Sequence, residues 1–172
     1  ATTTKHRREQ DASHDDFGIR RTLRLQPFGL LGLLHADGLD ASVLRDLLDK
    51  GLIPVVAPLG VDADGQPHNI NADSVASAIA AALGAQRLVY LTDIEGLRRD
   101  VSDATSLIRD TTADELAGML ADGTIADGMI PKVQSCIDAV RSGVEQAHIL
   151  DGRVPHVLQS LFSDARVGTV VR

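Results

Sequence analysis

The stretch HNINADSVASAIAAALGAQRLVYLT, residues 68–92, shows the pattern that most clearly indicates the fold class. It opens with two asparagines and an aspartate, and then an alanine-rich run predicts a helix over 75–83 that ends at Gly84. The run over 87–92 is almost continuously apolar, as expected of a parallel strand covered on both faces. A helix that leads directly into such a strand is typical of α/β proteins.

The alternation of strands and helices continues in both directions from this stretch. Upstream, the apolar run over 52–58 predicts a short buried strand, and the residues at 62–65 predict a turn. The same criteria predict helices from Asp40 to Gly51, from the capping box of Thr112 and Glu115 to about residue 121, and over 129–142, and strands at 147–150 and 168–171. Together these elements predict an α/β fold with a mainly parallel sheet.

The composition limits the classes of partner. Aromatic residues make up 2% of the sequence, which implies an aliphatic core and argues against a surface that stacks nucleic-acid bases. The net charge of −7 repels polyanions, and no apolar run reaches the length of a membrane span. The first residues lack a signal-peptide pattern, and the single cysteine, Cys136, suits a reducing compartment. We therefore expect a cytoplasmic protein that binds neither nucleic acid nor membranes.

The length of 172 residues suits one domain with a substantial core. Residues 1–16 are polar and lack periodicity, and residues 25–38 are apolar but interrupted by glycine. Residues 1–38 are accordingly predicted to be an N-terminal arm of unassigned structure that is partly disordered. The α/β lobe is predicted over 39–172.

Polar side chains follow three of the predicted strands: residues 69–73, 92–96 and 151–153. Parallel sheets bind ligands beyond the carboxyl ends of their strands, so all three clusters are candidates for a binding site. Asn69, Asn71 and Asp73 precede a helix, where such side chains either cap the helix or help its backbone amides to bind an anion. These residues alone leave both interpretations open.

A lysine, Lys132, falls in the first turn of the helix predicted over 129–142. A positive charge there opposes the helix dipole, so it is either a surface lysine or one held by an anion or by Asp73. The second alternative fits phosphoryl transfer, in which Asp73 would orient Lys132 and Lys132 would neutralise charge on the transferred group. A carboxylate acceptor would need no general base. The sequence has no P-loop, HExxH or paired-cysteine motif, and no metal site is predicted.

Five segments together resemble one known family. They are GLIPVVAP (51–58), NINAD (69–73), LTDIEGL (91–97), GMIPK (128–132) and ILDGRVPH (149–156). In this order and spacing, residues 39–172 resemble the C-terminal, nucleotide-binding half of the N-acetyl-L-glutamate kinases, which are part of the amino acid kinase family. The resemblance implies that family's fold, a three-layer sandwich with an open, mostly parallel sheet between helices.

The resemblance also implies a reaction and a set of site residues. ATP, with Mg²⁺ on its phosphates, would phosphorylate the side-chain carboxylate of N-acetyl-L-glutamate to an acyl phosphate in arginine biosynthesis. Asn69 would contact acetylglutamate, and Asn71 would lie beside the reacting groups. Asp73 would organise the catalytic lysines, and Lys132 would stabilise the transition state. The residues implied to border the nucleotide are Thr92, Asp93, Ile94, Glu95, Gly96, Leu97, Arg98, Thr124, Ile125 and Ala126.

The sequence departs from the family pattern at its N-terminal end. The phosphate loop, the substrate loop and the carboxylate-binding arginine of the family's N-terminal half are not recognisable in residues 1–38. We therefore expect a truncated chain, and the alternative function is a non-catalytic nucleotide-binding or interaction module. A piece of an acetylglutamate synthase, whose first domain is kinase-like, is a third alternative, against which the intact site residues argue.

Two further properties of the family are left open by the sequence. Family members form dimers or hexamers, so a homo-oligomer is one alternative for this chain. Arginine feedback is undecided because residues 157–169 differ from the ending of arginine-regulated members.

Overall fold

A computed structural model describes residues 34–35, 38–125, 127–163 and 166–172. Its strands are β1 (Leu34–His35), β2 (Gly38–Leu39), β3 (Leu59–Val61), β4 (Pro67–Asn69), β5 (Arg87–Thr92), β6 (Asp110–Thr111), β7 (Gln146–Asp151) and β8 (Thr169–Val171). Its α-helices are α1 (Ser42–Asp49), α2 (Ala72–Leu83), α3 (Ala113–Ala121) and α4 (Ile130–Arg141). Short 3₁₀ helices cover Ala104–Ser106, Asp127–Met129 and Val157–Phe162.

The main sheet has four strands in the order β5-β7-β8-β6. The pairs β5–β7 and β6–β8 are parallel, whereas β7 and β8 are antiparallel. The prediction of an α/β fold with a mostly parallel, open sheet is therefore confirmed. Thr92 lies opposite Asp151 in the β5–β7 register, so the carboxyl ends of these two strands meet at one edge of the sheet.

One face of the sheet packs against helices α2, α3 and α4. Leu88 and Tyr90 of β5 and their partners Ala147 and Ile149 of β7 join the helix residues in a single buried cluster. Tyr90 is the one aromatic residue in this cluster, which is otherwise made mostly of aliphatic side chains, as the composition predicts, and burying each large side chain contributes roughly 1.5–3 kcal/mol.

The opposite face carries the helix Val157–Phe162, which Arg87 holds by donating from Nη1 to the carbonyl oxygen of Leu161 at 2.9 Å. The sheet thus lies between two helical layers, as expected from the resemblance.

The predicted helix ends agree with the structure. Thr112 Oγ1 accepts a hydrogen bond from the backbone N–H of Glu115, and Glu115 Oε2 accepts one from the backbone N–H of Thr112, both at 3.1 Å. This is the predicted capping box of α3. At the C-terminal end of α2, Gly84 adopts a left-handed conformation with φ +64°, which stops the helix.

Residues 52–58 do not form a strand, contrary to the prediction. Ile53 and Val55 are 80% and 82% exposed, so the run is not buried on both faces. A strand needs a neighbouring strand for its backbone groups, and no described strand pairs with this segment, although the carbonyl oxygen of Pro58 accepts a hydrogen bond from the N–H of Ile70 at 2.9 Å. Pro54 and Pro58 also have no N–H to donate. The apolar run therefore marks an extended segment with one exposed side.

The predicted domain boundary between residues 38 and 39 stays a prediction. Residues 1–33 and 36–37, which make up most of the predicted arm, lie outside the described residues. The antiparallel pair of β1 and β2 spans the boundary. Among the helices that the structure describes, none combines the length and hydropathy needed to cross a bilayer.

His148 makes the stability of the fold depend on pH. It is 6% exposed, and burial, followed by the charge of Arg87, lowers its pKa below the usual value. The unfolded chain therefore binds a proton more readily than the folded chain, so stability is complete above the unfolded pKa of about 6.5 and decreases as the pH falls below it.

We expect urea unfolding between pH 7 and pH 5 to show a loss of up to about 1.4 kcal/mol per pH unit from this group. His148→Gln should remove that part of the slope, while His156→Gln, at an exposed histidine, should keep it. An unchanged slope in His148→Gln would contradict the assignment.

Candidate active site

Lys132 and Asp73 meet between two helices. Asp73 is the second residue of α2 and Lys132 the third residue of α4, and these helices pack against each other. Lys132 Nζ lies 2.8 Å from Asp73 Oδ1, and the side chains are only 19% and 23% exposed. The carboxylate offsets the unfavourable position of a cation at a helix N-terminus. Of the alternatives that the sequence leaves open for Lys132, the structure shows the contact with Asp73.

Tyr90 lies against this ion pair and was missed from the sequence. Its hydroxyl donates to the backbone carbonyl oxygen of Asp73 at 3.1 Å, and Lys132 Nζ lies 4.8 Å from the centre of its ring. In the sequence it was one residue of the apolar run of β5. The available signal was that it is the only tyrosine in the chain.

Asn71 is the N-cap of α2. Its Oδ1 accepts hydrogen bonds from the backbone N–H groups of Asp73 at 2.9 Å and Ser74 at 3.2 Å. The capping interpretation is therefore confirmed for Asn71, and the cap fixes the backbone that carries Asp73. Asn69 is exposed at the end of β4, in a hairpin with β3, rather than directly after a strand at 52–58.

A cavity of about 490 Å³ opens at the sheet edge where β5 and β7 end. Six of the residues implied to border a nucleotide, 93–98, line it together with Ile125. Thr92 is not in the lining, but its Oγ1 accepts a hydrogen bond from the N–H of Ile94 at 2.9 Å and so shapes the loop. Thr124 lies next to Ile125 and bonds to Asp122, and Ala126 is outside the described residues.

The cavity wall depends on a glycine. Gly96 has φ +151°, and a Cβ there would lie 2.7 Å from Thr169 Oγ1. That hydroxyl accepts from the N–H of Leu97 at 2.8 Å and donates to the carbonyl of Ile108 at 2.6 Å. The loop over 93–98 is therefore tied to β8 through one buried threonine.

An ion pair borders the cavity at the end of β7. Arg153 donates from Nε and Nη2 to the two carboxylate oxygens of Asp151 at 2.9 and 2.8 Å. These hydrogen bonds lower the pKa of Asp151 to about 2, so both groups are charged across the physiological range. The sequence identified 151–153 as a strand-end cluster but did not assign it to the nucleotide.

The rest of the lining is apolar and was not found from the sequence: Val101, Met129 and Val154. Apolar walls with a few charged groups at the rim are typical of small-molecule sites, and the volume falls in their usual range. The described residues contain no group of three or more His, Cys, Asp or Glu side chains arranged to hold a metal ion.

The sequence profile of the amino acid kinase family matches residues 22–151. The chain belongs to the amino acid kinase family. It is 48% identical to the acetylglutamate kinase of Symbiobacterium thermophilum over 153 residues, which are 88% of this chain and 52% of that protein. It is 47% identical to the acetylglutamate kinase of Acidiphilium cryptum over 98% of this chain and 52% of that protein. The chain thus spans about half the length of these relatives.

Solved structures agree with the family assignment. The N-acetylglutamate synthase of Neisseria gonorrhoeae, solved with coenzyme A and N-acetyl-glutamate, superposes with a TM-score of 0.69 at 29% identity, covering 77% of this chain and 30% of that one. The T. acidophilum isopentenyl phosphate kinase has a TM-score of 0.63 at 20% identity, covering 83% and 57%, and this supports the fold alone.

Proposed function

We propose that this chain is the nucleotide-binding and phosphoryl-transfer half of an acetylglutamate kinase. ATP would phosphorylate the side-chain carboxylate of N-acetyl-L-glutamate, giving an acyl phosphate and ADP. The observation that carries the proposal is the ion pair of Lys132 and Asp73, which contacts β5 near the edge where the cavity opens. The identity of 48% to an acetylglutamate kinase supports this choice of acceptor.

The geometry suits the chemistry of phosphoryl transfer. The bond between the γ-phosphorus and the bridging oxygen of ADP breaks as a carboxylate oxygen bonds to that phosphorus, and no proton has to move. Positioning and neutralisation of charge therefore supply the catalysis. Lys132, fixed by Asp73, would stabilise the charge on the transferred group. Asn69 would contact acetylglutamate, and the amide of Asn71 would lie beside the reacting groups.

The cavity lined by residues 93–98 would hold the nucleotide, with its apolar walls around the base. Mg²⁺ would bind through the nucleotide phosphates and neutralise part of their charge. The carboxylates of Asp93 and Glu95 line the cavity and could offer oxygen atoms to such an ion, and Arg98 lines the same cavity. We also propose a cytoplasmic location, which the buried free thiol of Cys136 supports. Oligomeric state and arginine feedback, both left open by the sequence, are not part of this proposal.

Binding of the nucleotide can be tested apart from turnover. Val154 lines the cavity but is 49% exposed, so Val154→Asp adds a negative charge there at little cost to folding. We expect calorimetry to show that ATP binding weakens by about tenfold. The matched control is Val43→Asp, at a residue of α1 that is 41% exposed and does not line the cavity. Equal weakening in both variants would place the nucleotide elsewhere.

Turnover is tested with the purified chain, N-acetyl-L-glutamate and Mg-ATP, by trapping the acyl phosphate with hydroxylamine and by measuring ADP release. Product that depends on both substrates and disappears in Lys132→Ala would support the proposal. Binding of ATP without product would reject kinase activity for this chain and favour the non-catalytic nucleotide-binding module.

A further inference from the structure

We propose that Tyr90 positions Lys132 and Asp73 for phosphoryl transfer, so that strand β5 sets where the charged head of the lysine lies. Its kinetic consequence rests on the proposed function, whereas its structural consequence does not. Neither the family match nor the motifs discussed above assign a role to this residue.

Tyr90 contacts both members of the ion pair with different parts of its side chain. The hydroxyl donates to the carbonyl oxygen of Asp73 at 3.1 Å, which ties the first turn of α2 to β5. The ring faces Lys132, with Nζ 4.8 Å from its centre, at a distance where a cation is attracted to the electron-rich ring face. One side chain of the sheet therefore holds groups that are 59 positions apart in sequence.

Tyr90 is itself held firmly. It is 5% exposed and belongs to the main core cluster, opposite the fully buried Ile149 of β7. Burial also raises the pKa of its hydroxyl, which keeps the phenol neutral and able to donate. A lysine has a long, flexible side chain, so a single carboxylate leaves its head free to rotate about that contact. The ring supplies a second fixed point on a different element.

The alternative role for Tyr90 is core packing alone. In that case any large apolar side chain would serve, and loss of activity would only follow loss of stability. If Tyr90 positions the lysine, the ring matters for the location of Lys132 even in variants that remain folded. Two substitutions separate these cases, because Tyr90→Phe keeps the ring and removes the hydroxyl, and Tyr90→Leu removes both.

The composition makes the structural test simple. The chain has three lysines, Lys5, Lys50 and Lys132, and one tyrosine. In the NMR spectrum, the side-chain CH₂ signals of Lys132 next to the ammonium group should be shifted upfield by the ring of Tyr90. Lys132→Arg identifies those signals. We expect Tyr90→Phe to retain the shift and Tyr90→Leu to lose it. Unshifted Lys132 signals in the unmodified chain would overturn the proposal, whether or not the chain is an active kinase.

The kinetic test compares variants that remain folded. We expect Tyr90→Leu to lower kcat by about tenfold with the KM for ATP nearly unchanged, because misplacing a charged group acts on the chemical step. Tyr90→Phe should retain most of the kcat of the unmodified chain. The matched control is Leu88→Val, at a core residue on the same face of β5 and two positions farther from the sheet edge.

The outcomes distinguish the two proposals. If Leu88→Val lowers kcat as much as Tyr90→Leu, Tyr90 only packs the core and the positioning role is rejected. A different result is that the NMR shift behaves as expected while neither the unmodified chain nor any variant forms the acyl phosphate. In that case the contact between Tyr90 and Lys132 is supported and the proposed function fails.

Discussion

Gly168→Ala is expected to destabilise the protein by roughly 3 kcal/mol or more, a loss in the range of severe core substitutions. Gly168 has φ +69°, and a Cβ there would lie 2.2 Å from the carbonyl oxygen of Ile149 and 2.6 Å from Leu150 Cδ2. Both contacts are with β7, which lies inside the sheet between β5 and β8. Neither β7 nor β8 can move aside without breaking the pairing between them, which begins at Thr169.

Urea unfolding at neutral pH measures this effect, and Gly123→Ala is its control. Gly123 has a similar φ of +77°, but nothing lies within 4 Å of a Cβ placed there. Its substitution should cost only the backbone strain of about 1 kcal/mol. The difference between the two variants isolates the clash with β7. A similar loss of stability in both would show that the strand connection is less tightly packed than the structure indicates.

The sequence predicts the elements whose signals are local. Helix α3 has a complete capping box, α2 ends at a glycine, and β5 and β7 are apolar runs of ordinary length. Each of these is decided by neighbouring residues, so no knowledge of the tertiary structure is needed. These elements were enough to predict the α/β class and the edge of the sheet where polar side chains gather.

The failures concern pairing, which no local pattern specifies. Residues 52–58 have the composition of a buried strand, but no described strand pairs with them, and Ile53 and Val55 are exposed. The hairpin of β3 and β4 was missed around its correctly predicted turn, because its three-residue strands are too short, and β4 too polar, to show an alternating pattern. The antiparallel orientation of β8 relative to β7 was likewise not predicted, since an apolar run does not reveal the direction of a strand.

The candidate site divides in the same way. The contact between Asp73 and Lys132 was predictable, because a lysine early in a helix needs a counter-charge and Asp73 was a candidate. Tyr90 and the apolar cavity residues Val101 and Met129 were not, because they are uncharged and, although Met129 lies within the GMIPK segment (128–132), no chemical role points to them. The resemblance supplied residues 93–98, which the structure brings together around the cavity, but their role with a nucleotide stays a proposal.

Lys132→Ala is expected to lower kcat by roughly 10³-fold, the typical effect of removing a group that stabilises developing charge. Asp73→Asn should lower kcat by about 10²-fold, because it leaves the lysine without the carboxylate that fixes it, and its effect should act on the chemical step. The two substitutions should not be additive, since the loss of Lys132 removes what Asp73 positions. The double variant should therefore be about as slow as Lys132→Ala alone.

Asn69→Ala is compared with Asp73→Asn because it should affect substrate binding and not the chemical step, and Asp114→Ala is the control for loss of an ion pair. If Asn69 contacts the acceptor, its loss should raise the KM for N-acetyl-L-glutamate and be recovered at high substrate concentration. Asp114 forms another 2.8 Å ion pair between helices, with Arg141, but its side chain is 91% exposed and it lies outside the cavity lining. Its substitution should leave kcat unchanged. If excess acetylglutamate fully restores the rate of Asp73→Asn, then Asp73 binds the acceptor and does not position Lys132, because a misplaced lysine would slow the reaction at every substrate concentration.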